Sequence, residues 1–378
     1  MGVPAAASVV RTPISLLSFG NMPQTTQSSE LALAEEHDAA GRHNEAIDVL
    51  ARATHSGNVA CMRQLGKRLL AGDRAPLLAA EGARFLLDAA QRGDGEAAAR
   101  IAALCALGLY LKPSWPDALR WLVVAAQRGW QPAQGQLRAL AETPAGSAEV
   151  PDWSRLASRL ELTPWQSSPP ARELSVDPQV QAFDSFIGDA VCEWVIARAR
   201  GRLTRALVYN AVNQEDYASS TRTNSVANIS LADIELLDVL LQVKMSYACR
   251  VPMSHMEAPA VLHYCVGEEA ANHYDFVNPN TPDYAAEIAR NGQRIVTFLI
   301  YLNDDYDGGE TDFPTLGVCH KGTRGGALFF INAHPDLQPD MRVLHAGRSP
   351  TRGEKWIVSQ FIRSREVLTA RPARTSGY

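Results

Sequence analysis

Ala53-Thr-His-Ser-Gly57, Ala89-Ala-Gln-Arg-Gly93 and Ala125-Ala-Gln-Arg-Gly129 are three versions of one phrase that recurs every 36 residues. Each has a leucine seven positions before its glycine and a small residue four positions after it: Leu50, Leu86 and Leu122, then Cys61, Ala97 and Ala133. A fixed period of this size is typical of a helical solenoid, in which each helix pair buries its apolar face on the next. The glycines suit the position after a helix, where a positive φ turns the chain. A helical bundle without a repeat is the alternative.

The repeated phrase resembles Sel1-like repeats, which are relatives of tetratricopeptide repeats. The resemblance covers residues 31–142 and implies a stack of helix pairs. Such stacks form concave surfaces that bind extended partners, so this part of the chain could recruit a protein or peptide.

The segments that flank the repeats have the composition of tails and linkers. Residues 1–30 are rich in alanine and interrupted by Arg11 and Pro13, so we expect a disordered tail rather than a signal peptide. Residues 143–175 are rich in proline, glycine and serine, which predicts a linker with one short helix at about 153–162. A second disordered tail is expected at residues 366–378.

The composition indicates an ordinary soluble protein of two domains. The chain has 378 residues, 46% of them hydrophobic, and a net charge of -5, which argues against a nucleic-acid partner. No apolar run is long enough to span a bilayer. Six cysteines without a C-x-x-C pair favour reduced thiols. The expected location is therefore the cytoplasm, and the oligomeric state is not indicated.

After residue 176 the sequence becomes rich in β-branched and aromatic residues, with turn residues such as Asp307-Gly-Gly309 between short segments. Many short strands of this kind predict a barrel or a sandwich. The predicted helices are 190–200 and 231–250, and the predicted strands are 260–266, 294–303, 326–331, 342–346 and 355–363.

His273-Tyr-Asp275 is the first part of a predicted metal site. Side chains on an extended segment repeat every two residues, so His273 and Asp275 can bind one ion while Tyr274 faces away. Two imidazoles and one carboxylate on one face are typical of non-haem Fe(II) sites with open positions for a co-substrate and O2. His345 is the predicted third ligand, and His320 and His334 are weaker candidates.

Lys355 is predicted to hold an anion beside this metal. If residues 342–363 form a hairpin centred on Pro350, His345 and Lys355 lie opposite each other, with Cβ atoms roughly 5 Å apart. A buried ammonium is costly unless it meets an anion. A 2-oxo dicarboxylate would chelate the metal at one end and neutralise the lysine at the other.

These residues form part of an ordered set of motifs that resembles the prolyl 4-hydroxylase branch of the Fe(II)/2-oxoglutarate dioxygenases. The resemblance covers about residues 178–364 and implies a double-stranded β-helix, or jelly roll, with helices outside, which we assign to residues 176–365. The matching motifs are Arg222-Thr-Asn-Ser225, Tyr264-Cys-Val-Gly267, His273-Tyr-Asp275, Arg294-Ile-Val-Thr-Phe-Leu-Ile-Tyr-Leu-Asn303, Gly308-Gly-Glu-Thr-Asp-Phe-Pro314, Lys321-Gly322, His345-Ala-Gly347 and Lys355-Trp356.

The resemblance also implies roles for individual residues. His273, Asp275 and His345 would bind Fe(II), and Lys355 would bind the distal carboxylate of 2-oxoglutarate. Tyr264 and Thr297 would assist Lys355 through their hydroxyls, with Tyr301 as a weaker candidate. The reaction would consume O2 and release succinate and CO2, with ascorbate as a reductant.

The substrate is less clearly indicated. Family members commonly have Gln-Tyr where this chain has Glu269-Ala270, and Phe361 stands near a position often occupied by tryptophan. The leading hypothesis is hydroxylation of a prolyl residue in a protein or peptide. The alternatives are a hydroxylase of a free amino acid or small metabolite, and a repeat-based interaction scaffold whose oxygenase domain is silent.

Overall fold

The computed structural model describes residues 29–142, 151–210, 215–217 and 219–367. The expected disordered tails therefore lie almost entirely outside the described residues, although Ser29 and Glu30 belong to the first helix. The helices of the first part are α1 (Ser29–Ala39), α2 (His43–His55), α3 (Val59–Ala71), α4 (Ala79–Gln91), α5 (Gly95–Leu107), α6 (Trp115–Gln127), α7 (Gln131–Leu140) and α8 (Trp153–Ala157).

The predicted helical repeat is confirmed. Each repeated phrase ends the first helix of a pair, at α2, α4 and α6, and its glycine has a positive φ of 90°, 97° or 80°. The leucines and small residues that define the period are buried. Asn58 and Asp94 each accept a hydrogen bond from a backbone N–H in the first turn of the next helix, which caps it. The same sequence positions therefore perform the same structural task in successive pairs.

The segment expected to be a linker is more ordered than its composition indicates. Trp153 is buried, at the start of the short helix α8, which packs against α6 and α7. Residues 172–175 form an edge strand of the main sheet, so the β-rich part begins earlier than residue 176. Residues 143–150 lie outside the described residues.

The second part contains two main sheets that face each other, which is the jelly-roll arrangement predicted. The large sheet has the strand order β1-β2-β13-β9-β16-β7-β6-β3, and the small one β12-β11-β14-β8. The strands are β1 (Arg172–Ser175), β2 (Val180–Phe183), β3 (Thr204–Arg205), β4 (Val208–Asn210), β5 (Glu215–Tyr217), β6 (Ser225–Asn228), β7 (Ala260–Tyr264), β8 (Ala270–His273), β9 (Arg294–Tyr301), β10 (Asp307–Gly308), β11 (Thr311–Phe313), β12 (Val318–His320), β13 (Ala327–Ile331), β14 (His345–Gly347), β15 (Pro350–Arg352) and β16 (Lys355–Arg363).

Helices α9 (Asp189–Arg200), α10 (Leu236–Cys249) and α11 (Pro282–Asn291) complete the second part. The start of α10 lies five residues beyond its expected position because Glu235 and Asp238 form a reciprocal capping box there. Helix α11 has a proline in its first turn and was not predicted from the sequence.

Alternation along β9 separates the two faces of the large sheet. Phe298 and Ile300 join the apolar core formed with α9 and α10, whereas Leu299 and Tyr301 join a second core between the two sheets. This second core surrounds the predicted site. Side chains of one strand therefore serve either the helical layer or the pocket, according to their parity.

The repeats pack against the helical layer of the oxygenase. Arg100 of α5 forms a buried ion pair with Glu235, and its Nη1 donates to the Ile234 carbonyl at 2.7 Å. Gln136 of α7 donates to the other oxygen of Glu235 at 2.7 Å and accepts from the backbone N–H of Leu237 at 3.0 Å. The two parts are thus joined through one buried polar network at the start of α10.

The six cysteines form no disulfide bond with one another in the described part of the chain. Within the described ranges, no helix combines the length and apolar character needed to cross a membrane.

Candidate active site

His273 and His345 face each other on neighbouring strands. They pair directly in the β8–β14 ladder, and their ring centroids lie 4.3 Å apart. The expected hairpin between His345 and Lys355 is wrong. His345 belongs to the small sheet, whereas Lys355 begins β16 and pairs with Tyr264 in the large one. The strand β15 intervenes and pairs with β10, which separates the two segments.

Asp275 lies between the two imidazoles. Its Oδ1 is 3.4 Å from Nε2 of His273, and its Oδ2 is 3.3 Å from Nε2 of His345. The donor atoms of these three residues lie within 4.8 Å of one another. Asp275 and His345 are buried, whereas the His273 side chain is 41% exposed, so the cluster opens on the His273 side.

Backbone carbonyls orient both rings. His273 Nδ1 donates to the Ala271 carbonyl at 2.7 Å, and His345 Nδ1 donates to the Val343 carbonyl at 3.0 Å. Because a carbonyl only accepts, Nδ1 carries a proton in both rings, so Nε2, the nitrogen that faces Asp275, is the one that can release its proton and offer a lone pair to a metal. Carbonyl-bound imidazoles of this kind are the usual form of metal-ligating histidines. The three side chains therefore fit a divalent transition metal.

The charge of the cluster also suits a cation. Burial raises the pKa of Asp275, but the charge of His345 and the hydrogen bonds from both imidazoles outweigh it and hold the pKa well below its usual range. The carboxylate is consequently ionised and can act as the anionic ligand of the triad.

Lys355 lies at the other end of the pocket between two tyrosine rings. Its Nζ is 5.3 Å from the ring centroid of Tyr264 and 5.8 Å from that of Tyr301. The side chain is buried, and within the part of the chain that the structure describes no carboxylate forms an ion pair with it. Burial lowers the pKa of Lys355 to about 8. An isolated buried ammonium of this kind is suited to an anionic ligand.

The three residues predicted to bind the co-substrate together with Lys355 differ in their contacts. Tyr264 is paired directly with Lys355, as its predicted role requires. Thr297 Oγ1 donates to Asp275 Oδ2 at 2.7 Å, so its hydroxyl contacts a predicted metal ligand, and its role toward the co-substrate stays a prediction. Tyr301 is buried beside Lys355, and its hydroxyl hydrogen-bonds Thr311 at 2.9 Å.

Two supporting residues, Asn332 and Gln293, were missed by the sequence reasoning. Asn332 Nδ2 donates to Thr297 Oγ1 at 2.9 Å and so completes a chain that ends on Asp275. Gln293 holds Val277 through two hydrogen bonds of 2.7 Å, one to its N–H and one to its carbonyl. Neither contact has a local sequence signal, because the partners are distant in the chain. Arg222 lies close enough to His273 and Tyr264 for its charge to act on both, and its Arg-Thr-Asn-Ser motif belongs to the family resemblance noted from the sequence.

The competing histidines lie elsewhere. His320 ends β12 and contacts the Tyr301 ring at 5.5 Å, and burial lowers its pKa to about 4. His334 is exposed and its Nε2 is 3.8 Å from Asp340. Neither belongs to the cluster of metal-ligating atoms.

Parts of this chain are similar to known oxygenases. Residues 259–363 match the family model described as the 2OG-Fe(II) oxygenase superfamily. The Arabidopsis thaliana protein named Probable prolyl 4-hydroxylase 9 is 31% identical over 215 residues, covering 52% of this chain and 73% of that protein.

Two solved structures share weaker similarity. A viral collagen prolyl hydroxylase from Paramecium Bursaria Chlorella virus-1, in its 2OG complex, is 24% identical and covers 49% of this chain and 96% of that chain, with a TM-score of 0.39. A Sel1 repeat protein from Oxalobacter formigenes is 16% identical and covers 45% of this chain and 63% of that chain, with a TM-score of 0.29. The family of this chain is shown by the family model and the Arabidopsis relative.

A jelly roll with a His-Asp-His cluster beside a buried lysine defines a metal-dependent oxygenase of the 2-oxoglutarate class. The chain belongs to the prolyl 4-hydroxylase family of the 2OG-Fe(II) oxygenase superfamily. It is accordingly a 2-oxoglutarate-dependent dioxygenase whose cofactors are Fe(II), 2-oxoglutarate and O2.

Proposed function

We propose that His273, Asp275 and His345 hold Fe(II) and that the protein hydroxylates a prolyl residue in a protein or peptide, with release of succinate and CO2. The observation that carries this proposal is the convergence of three donor atoms, two of them on imidazoles held by backbone carbonyls. Bound Fe(II) supplies O2 activation and the oxidation of an unactivated C–H bond, which protein side chains alone cannot perform.

The other residues bind and orient the co-substrate. The ammonium of Lys355 is placed to neutralise the distal carboxylate of 2-oxoglutarate. The hydroxyl of Tyr264 is the proposed second contact, and burial raises the pKa of Tyr264 to about 12, so this hydroxyl keeps its proton as a donor. The apolar side chains between the sheets exclude water around the co-substrate. Thr297 and Asn332 fix the orientation of Asp275.

Phe361 supports a prolyl target. It follows Lys355 at even spacing along β16, so it lies on the pocket side of the large sheet. Its ring is packed under the guanidinium of Arg294, 3.8 Å from the ring centroid. It is therefore a partly buried aromatic side chain on the strand pair with Thr297, and it is the proposed packing surface for a pyrrolidine ring.

The repeats form the second part of the proposal. Their contacts with the oxygenase come from the second helices of the pairs, through Lys67 of α3, Arg100 of α5 and Gln136 of α7. We propose that the remaining surface of the array recruits a protein substrate. A full-length substrate is then expected to show a lower KM than a short peptide with the same target sequence.

The test of the activity is succinate production from 2-oxoglutarate with proline-rich peptides, read together with mass spectrometry of the peptide. The wild-type protein is expected to add one oxygen to a prolyl residue, and His345→Ala is expected to abolish both signals. His334→Ala is the matched control, because it removes an exposed histidine outside the cluster, and it should remain active. Oxygen added to free amino acids but not to peptides would favour the small-metabolite alternative. Undiminished turnover in His345→Ala would reject the proposed ligand set.

A further inference from the structure

The outer face of the β7–β16 strand pair carries a second group of metal-ligating side chains. Tyr264 and Lys355 point into the pocket, so their neighbours His263, Cys265 and Glu354 point to the opposite face. His263 is paired with Trp356, and continuing this register by two residues along each strand places Glu354 beside Cys265.

A turn brings one more carboxylate to the same place. Gly267 has a φ of +84°, and the N–H of Glu268 donates to the Cys265 carbonyl at 3.0 Å. This folds Glu268 back, and its Oε2 accepts the N–H of Cys265 at 2.9 Å. Donor atoms of His263, Cys265 and Glu268 lie within 4.8 Å of one another. Among the described residues, only this group and the His-Asp-His cluster meet that description.

Glu354 supplies a fourth donor. Its Oε2 is 2.7 Å from Nε2 of His263, and its Oε1 accepts from Arg200 at 2.8 Å. The imidazole of His263 is held by Trp356, with ring centroids 4.2 Å apart, and Arg200 covers that indole at 4.9 Å. Burial and the charges of Glu268 and Glu354 together raise the pKa of the Cys265 thiol. The group therefore has one imidazole, one thiol and two carboxylates, with two of the four side chains oriented by outer contacts.

We propose that His263, Cys265, Glu268 and Glu354 form a zinc site on the outer face of the oxygenase, separate from the iron site. Zn²⁺ takes four ligands from imidazole nitrogen, thiolate sulfur and carboxylate oxygen. Binding displaces the thiol proton, and the Nε2 proton of His263 moves to Nδ1, so that Nε2 and the Glu354 carboxylate exchange their hydrogen bond for two metal–ligand bonds. The ion ties the end of β7 to the start of β16, which are the segments that carry Tyr264 and Lys355.

The site is tested with Co²⁺ as a spectroscopic substitute in the full-length protein. A thiolate bound to Co²⁺ gives a near-ultraviolet charge-transfer band, and the His-Asp-His cluster has no thiol that could produce it. The wild-type protein is expected to develop this band with an intensity that corresponds to one thiolate-bound Co²⁺ per chain. Cys265→Ser is expected to abolish it, and Glu268→Gln to weaken Co²⁺ binding at least about tenfold, as loss of a ligand contact does.

Cys319→Ser is the matched control, because Cys319 is the other exposed cysteine and lies on β12 outside the cluster. It should leave the band unchanged. Absence of the band in the wild-type protein, or its persistence in Cys265→Ser, would overturn the proposal. Because the readout is thiolate ligation, failure here is independent of the proposed iron site and of hydroxylase activity.

Discussion

His273 and His345 are directly paired across β8 and β14, and each ring is held by a backbone carbonyl two residues before it in the sequence. The small sheet thus aligns two imidazoles from distant parts of the chain before any metal binds. The large sheet contributes Lys355 and Tyr264, which are paired on β16 and β7. The pocket is consequently assembled from the facing sides of two sheets, each carrying one part of the chemistry.

Removing the buried ammonium should impair co-substrate binding. Lys355→Met retains the length of the side chain but leaves the distal carboxylate without a counter-charge. We expect a loss of about 2 kcal/mol or more, which raises KM for 2-oxoglutarate at least about thirtyfold. Steady-state kinetics measure this change. Lys321→Met is the control, since Lys321 also lies over a tyrosine ring, that of Tyr306, and its removal should leave KM unchanged.

The same lysine predicts a pH dependence. Burial lowers the pKa of Lys355 to about 8, so the free enzyme carries the ammonium below that pH and loses it above. Affinity for 2-oxoglutarate should therefore be constant below pH about 8 and fall about tenfold for each further pH unit. In Lys355→Arg the guanidinium stays charged, so the alkaline loss should disappear. A wild-type KM that does not change above this pH would contradict the assignment.

Thr297 should affect the metal rather than the co-substrate. Thr297→Val keeps the shape of the side chain and removes the hydroxyl that donates to Asp275. Loss of such an outer contact typically weakens metal binding about 10–100-fold. Fe(II) titration should show this loss, with KM for 2-oxoglutarate unchanged at saturating iron. Thr323→Val, which removes a hydroxyl bonded to the Asp184 carbonyl, is the control. If Thr297→Val instead raises KM for 2-oxoglutarate and leaves iron affinity intact, the original expectation for this residue is restored.

The junction between the repeats and the oxygenase should contribute strongly to stability. Arg100→Met leaves Glu235 buried without its cationic partner, which typically costs about 3–5 kcal/mol. Arg120→Met removes an exposed ion pair with Asp117 and should cost at most about 1 kcal/mol. Urea unfolding of the two variants measures the difference. Equal destabilisation would show that the buried network does not join the two parts energetically.

Local sequence patterns predicted many elements correctly. The strand Lys355–Arg363 has its predicted bounds, and the helix predicted at 190–200 is observed one residue longer at its start. The repeat glycines end helices as expected. These features depend on periodicity and turn chemistry, which are encoded within a few residues.

The errors concern contacts between distant segments. The hairpin that would have paired His345 with Lys355 does not exist, because the intervening residues form β15 and pair with β10. The contact of Thr297 with Asp275 was not predicted. In both cases, strand neighbours determine the partner, and nothing in the local sequence specifies which strands become neighbours.

The sequence by itself determined the helical period, most of the strands, the reaction class through its ordered motifs, and the residue types available for metal and anion binding. Only the tertiary structure decided that His345 lies opposite His273, that Asn332 and Thr297 orient Asp275, and that the repeats join the oxygenase through Arg100 and Glu235. The physical reason is that spacing along a strand or helix follows from local backbone geometry, whereas contacts between distant segments depend on how the sheets and helices pack.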